Sequence, residues 1–220
     1  MSLFNRIKNR LYTSWNPLFR KYVINPRNRR RLKNRDISIL CNNCVGAVIS
    51  HDLGLQFRSP FVNLWLCPKD YIKFCENIAY YKSCELNFIS PHEKEVEYPV
   101  AKLDDIYIYF QHYQTEDEAR DSWNNRKART NSNNMCCLLI ERDGCTKEDL
   151  IRFSRLPYPK ASLVHIPMPD VNDTYYIRGF EHGREVGNSI DYKRNHFFGR
   201  RYYDDFDYVS FFNEVKNDSI

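Results

Sequence analysis

The stretch NMCCLLIERDGCTKEDLIRFSRLPYPKASLVHI, residues 134–166, decides the fold. NMCCLLI is an apolar run that ends in the charged and flexible residues ERDG, as a strand does on leaving a core. Thr146 and Asp149 then stand in the spacing of a capping box and open the helix TKEDLIRFSRL, which Pro157 ends. A second apolar run, ASLVHI (161–166), follows. Strand, helix and strand in that order form a βαβ unit, and its crossover implies a parallel pair.

Working outward, Thr115 with Glu118 forms another capping box and starts the helix TEDEARDSWNNRKART. Before it, DIYIYFQHY alternates Ile106, Ile108 and Phe110 as a half-buried strand does. The first part of the chain is different. ISILC (37–41), VGAVIS (45–50) and VNLWL (62–66) are β-branched or apolar segments bounded by Asn, Gly, Asp or Pro, which predicts three strands in quick succession. Pro68 then opens PKDYIKFCENIAYYKSCEL, predicted as one helix of about four turns. The fold class is therefore α/β, with two dissimilar α/β subdomains, a partly parallel sheet and the βαβ unit at 135–166. The expected organisation is a basic arm (1–33), one α/β domain (34–213) divisible into subdomains 34–105 and 106–213, and a tail (214–220). The aromatic segment HFFGRRYYDDFDYVSFFN is expected to pack back on the body.

With 42% hydrophobic and 15% aromatic residues, the 220-residue chain can fill a sizeable core. No apolar run approaches the roughly 18 residues of a membrane span, and the amino terminus has no signal-peptide core, so the expected location is cytoplasmic. The eight cysteines lack the regular spacing of a disulfide scaffold and are read as reduced. Charge is distributed unevenly. Residues 1–36 carry 11 Lys/Arg against the single acid Asp36, leaving 22 basic and 27 acidic side chains for the rest. Leu3, Phe4, Ile7, Leu11, Trp15, Leu18, Phe19 and Tyr22 recur at helical spacing among these cations, although Pro17 interrupts the series. Two readings stand for the arm: contact with an anionic membrane surface, or docking on the protein's own body. No RNP, KH or zinc-finger pattern accompanies the charge, so nucleic acid is not an expected partner. As a membrane arm, residues 1–33 are expected to be separable without loss of stability.

The chemistry concentrates in ILCNNCVGAVIS (39–50). Cys41 and Cys44 form C-x-x-C, but no second pair completes a zinc set, and Cys41 ends an apolar strand rather than sitting at a helix start; neither a metal nor a redox dithiol is expected. Cys44 has polar, flexible neighbours. With His51 or His112 as base it can act as an acyl acceptor, with Asn42 and Asn43 orienting a substrate and Gly46 allowing close backbone approach. The alternative is that the two asparagines cap a turn and Cys44 packs beneath it. Glu141 and Asp143 leave the strand before a capped helix, where they can hold a sugar hydroxyl or form an ordinary Asp-Gly turn. Arg126 and Arg129, at i, i+3, can grip an anion or simply answer the helix dipole. GxGxxG, Walker A, GxSxG and HExxH patterns are all missing, and the cofactor is left unknown.

From NRDISILCNNCVGA (34–47) through DLGLQFRSPFVNLWL (52–66), DYIKFCENIAYY, YPVAKLDDIYIYFQHY, SWNNRKARTNSNNM and RDGCTKEDLIRFSRLPY to RRYYDDFDYVSFFN (200–213), the chain resembles a bacterial family of unknown function whose members are often labelled exopolysaccharide biosynthesis proteins. The family pattern S-N-N-C-x-G-G, L-G-L, S-P is matched at Asn42, Asn43, Cys44, Gly46 and Ser59, while Cys41 replaces the first residue and Ala47 the second glycine. The resemblance makes His112, in the matching His-Tyr dipeptide, the better base, because His51 falls where the family is often aromatic. The family's label implies cell-surface polysaccharide assembly near the inner membrane face; with the residues above, the expectation is a transferase, acyl transfer preferred, acting on a glycan or lipid-linked sugar, with a glycosyl or phosphoryl transferase using Asp143 as the variant. The other implied reading is a non-catalytic binding or scaffold protein of the same machinery.

Overall fold

In the computed structural model, which describes residues 12–194 and 198–215, two sheets share one chain. The larger has the order β1 (Ser38–Cys41), β5 (Met135–Ile140), β6 (Lys160–Val164), β7 (Thr174–Tyr176), and every neighbouring pair is parallel. The smaller is an antiparallel meander of β2 (Asn87–Ile89), β3 (Val100–Leu103) and β4 (Ile106–Tyr109). The βαβ unit is present as read, with α6 (Lys147–Ser154) crossing from β5 to β6 behind a complete Thr146–Asp149 capping box.

The uninterrupted apolar run of β5 follows from its place in the sheet. Its side chains alternate between two cores, so no position faces water. Cys137 and Leu139 join one core with Trp123, Phe74 and Phe153. Cys136, Leu138 and Ile140 join the other with Val45, Ile49, Tyr203 and Phe212. The aromatic tail thus packs back on the body as expected, through the short helix α7 (Tyr208–Glu214). All eight cysteines are free thiols.

Four expectations are corrected. VGAVIS is not a strand but the start of α2 (Val45–Leu53). Val45, Ile49 and Leu53 recur at i, i+4, i+8 and are buried, and Gly54 ends the helix in the left-handed region at φ 69°, so helical periodicity overrides β-branched propensity. VNLWL is a turn with Asn63 at φ 62°; only Trp65 forms a bridge, to Tyr109. The long helix is two, α3 (Pro68–Glu76) and α4 (Ile78–Ser83), broken at Asn77 where φ is −143°. The division at 105/106 falls in the turn between β3 and β4, which are hydrogen-bonded partners, so the units are the two sheets rather than two halves of the chain. The helix α5 (Glu116–Ala128) forms behind its Thr115 cap, but the box is incomplete because Glu118 accepts from the Gln114 N–H.

The described part of the arm docks on the body. Residues 12–31 form a helix, α1, with a π-helical section at Arg20–Ile24. Arg20 is buried, its Nε 2.6 Å from Asp52 Oδ2 and its Nη1 2.7 Å from Asp204 Oδ2, and Nη2 donates to the Tyr203 hydroxyl. Asn25 donates to Asp52, and Asn28 to Tyr208. These polar contacts fasten α1 to α2 and to the aromatic tail.

Candidate functional site

Because β1 and β5 are parallel, their carboxyl ends lie side by side and deliver Asn42–Cys44 and Asp143 to the same edge of the sheet. Asn42 continues the ladder by one rung beyond β1. Its Nδ2 donates to the Ile140 carbonyl at 3.2 Å and its Oδ1 accepts from the Ile140 N–H at 2.9 Å. Asn43 Oδ1 accepts from the Val45 N–H at 3.0 Å, so it caps the first turn of α2. Both asparagines therefore hold the backbone, and Cys44 occupies the N-cap position of α2.

Cys44 does not pack beneath that turn. Its Sγ lies 3.4 Å from His112 Nε2, on the turn that follows β4. His51, the other candidate base, is exposed near the far end of α2, 3.6 Å from Asp52. Burial pushes the Cys44 thiol above its ordinary range. The amino end of α2 supplies partial positive charge beside the sulfur, which favours an anion formed there during reaction.

Asp143 approaches from β5 on an Asp-Gly turn with φ 58° at Asp143 and 79° at Gly144. Its Oδ2 accepts from Trp65 Nε1 at 2.8 Å and from Arg142 Nε at 3.2 Å. Trp65 in turn exchanges two backbone hydrogen bonds of 3.0 Å with Tyr109, and the two rings lie 4.4 Å apart. Cys44, His112, Asp143, Trp65 and Tyr109 consequently line one cavity of about 600 Å³, with Asn43, Gln111, Asn188 and Ser189 on its polar side and Lys94 at its margin. Ser189 is buried and its hydroxyl has no partner, an unusual cost for a polar group unless a ligand answers it.

Other sequence-predicted residues stand elsewhere. Arg126 donates to the Val62 carbonyl at 2.7 Å and to the Tyr113 hydroxyl, which ties α5 to the 62–66 turn. Arg129 is exposed at the carboxyl end of α5. Ser59 accepts from the Phe61 N–H. Gly46 permits a close approach, but to the protein itself: a Cβ there would lie 2.7 Å from Cys41 Cβ. Glu141 is buried against His165, accepting from its N–H at 2.9 Å and lying 2.6 Å from its Nδ1. Sequence reasoning missed Trp65, Tyr109 and Ser189. Trp65 and Tyr109 lay in segments read only as strands, and Ser189 carries no local signal at all.

The family model described as Domain of unknown function (DUF1919) matches residues 16–213. The chain belongs to this family. The match begins within α1, upstream of the resemblance read from the motifs, which agrees with the docking of that helix. An uncharacterized protein of Haemophilus influenzae (strain ATCC 51907 / DSM 11121 / KW20 / Rd) is 39% identical over 196 residues, which cover 89% of this chain and 93% of that protein.

Proposed function

We propose that this DUF1919 protein is a transferase that uses Cys44 as an acyl acceptor and His112 as general base, acting on a glycan or lipid-linked sugar in surface or exopolysaccharide biosynthesis. The observation that carries it is the 3.4 Å approach of Cys44 Sγ to His112 Nε2, brought about by elements 68 residues apart, at the wall of the cavity. His112 takes the thiol proton as sulfur attacks an acyl carbonyl, then gives it to the departing group, leaving a thioester on Cys44. An acceptor hydroxyl, deprotonated by the same imidazole, attacks the thioester and releases the cysteine. Trp65 and Tyr109, their rings tilted by 58° to each other, give aromatic surface of the kind that packs against a sugar, and Asp143, Asn188 and Ser189 offer hydrogen bonds to hydroxyls.

A second reading, a non-catalytic binding protein of the same machinery, is favoured by one fact: burial raises the Cys44 thiol, which works against a standing thiolate. Thermal-shift screening against nucleotide sugars, acyl-CoA and lipid phosphates, followed by intact-glycan mass comparison of wild type and Cys44→Ala strains, separates the two. Loss of decoration with ligand stabilisation retained supports the transferase. Unchanged decoration discards the cysteine mechanism.

A further inference from the structure

Helix α1 is amphipathic in the wrong sense for a soluble protein. Its polar residues Asn16 and Arg20 are buried against the body, whereas Trp15, Leu18 and Tyr22 are 51%, 49% and 66% exposed. At 100° per residue those three fall within one 60° arc, opposite the buried pair. Phe19 lies beside them, and its ring meets Phe198, itself 62% exposed, at 5.7 Å between centroids. Val23 is exposed as well, so five of the eight large exposed hydrophobic side chains among the described residues gather on or against this helix. Water alone gives no reason for that arrangement, since turning the helix over would bury the apolar stripe.

Charge indicates what covers it. Lys21, Arg27, Arg29, Arg30 and Arg31 are exposed along the same helix, and residues 1–36 contain one acid. Beside the stripe, a pocket of about 420 Å³ is walled by Lys21, Tyr22, Asn25, Arg29 and Arg201 together with the Arg20–Asp52 pair. Within it Arg201 Nε is buried without a hydrogen-bond partner, 3.9 Å from Asp52 Oδ2. An apolar stripe rich in Trp, Tyr and Phe, flanked by cations and by a cationic pocket, is the chemistry of an anionic lipid interface.

We infer that α1 is a membrane-docking face: Trp15, Leu18, Tyr22 and Phe198 enter the acyl–headgroup boundary of an anionic bilayer, and the pocket behind Tyr22 takes a lipid phosphate. The helix lies in the interface while its buried Arg20 keeps it fastened to the body. This is independent of the chemistry proposed for Cys44.

The test is co-sedimentation of the full chain with phosphatidylcholine vesicles and with phosphatidylcholine–phosphatidylglycerol vesicles. Wild type should bind only the anionic vesicles, with binding falling as salt rises and with the summed emission of its three tryptophans shifting to the blue, a shift that a triple variant lacking Trp15 should not show. The triple variant Trp15→Ser, Leu18→Ser, Tyr22→Ser should lose about tenfold or more in partitioning while its melting temperature stays at or above that of wild type, because the residues removed are exposed. Arg201→Gln with Lys21→Gln should weaken anionic binding and flatten its salt dependence. Equal binding of wild type and the triple variant would overturn the proposal. So would a wild-type dimer in size-exclusion chromatography that the triple variant dissociates, since the stripe would then be covered by a second copy.

Discussion

Replacing Arg20 by alanine should be among the most damaging single changes in the chain. The guanidinium contacts two carboxylates, Asp52 at 2.6 Å and Asp204 at 2.7 Å, besides the Tyr203 hydroxyl and the Gly199 carbonyl. Its removal leaves the buried Asp52 and the partly buried Asp204 beside a cavity, and breaking a buried ion pair from one side costs about 3–5 kcal/mol. Against a total stability on the order of 5–15 kcal/mol this is a large share. For a chain of this size, roughly 2–4 °C per kcal/mol converts it to a fall in melting temperature of about 6–20 °C. The pH dependence supplies a second readout. Burial tends to raise the Asp52 carboxyl, but the Arg20 charge and hydrogen bond outweigh it and hold the group below its ordinary value of 3.8. A depressed carboxylate contributes stability above its unfolded pKa and loses it as pH falls through the folded one. The gap between wild type and Arg20→Ala should therefore be full at neutral pH and narrow below about pH 4. Urea and thermal unfolding from pH 7 to pH 3 measure both effects. A variant that melts within about 2 °C of wild type at pH 7 would show that α1 is an appendage after all.

Three further outcomes follow from the site. Asn42→Ala strips partners from the Ile140 N–H and carbonyl and should cost about 2–4 kcal/mol in urea unfolding; a midpoint unchanged from wild type would show that the extra rung is dispensable. Gly46→Ala drives a methyl to 2.7 Å from Cys41 Cβ and should cost about 1–3 kcal/mol, whereas equal stability would mean that α2 shifts freely against β1. Alkylation of Cys44 by iodoacetamide, read by mass spectrometry of the tryptic peptide, should keep accelerating beyond the free-thiol value of 9.0, because burial raises this thiol. A rate that levels off near neutrality would instead reveal a standing thiolate–imidazolium pair.

The fold was legible where local signals agreed with one another. Around Thr146 the apolar run, the capping box and Pro157 all indicate the same element, and tertiary packing had nothing to override. VGAVIS misled because its β-branched residues favour a strand, while the spacing of Val45, Ile49 and Leu53 that decides for a helix becomes visible only when the window extends to Gly54. The docking of α1 was hidden for another reason: Arg20 looks like one more surface cation until Asp52 and Asp204, remote in sequence, are brought to it. At the site, Cys44 and Asp143 stood out by their polar neighbours and His112 by the resemblance of its His-Tyr dipeptide, and the fold brings the three to one cavity. Arg126 also has polar neighbours but spends its donors on Val62 and Tyr113. Ser189 has no such signal, and its significance lies wholly in being buried without a partner.

Helix α2 has Cys44 at its amino cap and, one residue before its last, Asp52, which holds Arg20. Nine residues at about 1.5 Å each make it a rigid strut of roughly 13 Å. With α1 docked as proposed, such a strut fixes how far the sulfur stands from the docking helix. A substrate on a short headgroup linkage would be within reach, and one on a long flexible stalk would have to fold back to meet it. The other half of the dyad, His112, stands on the turn after β4, outside this strut. The separation of sulfur and imidazole is therefore set by how the two sheets meet and not by the strut alone.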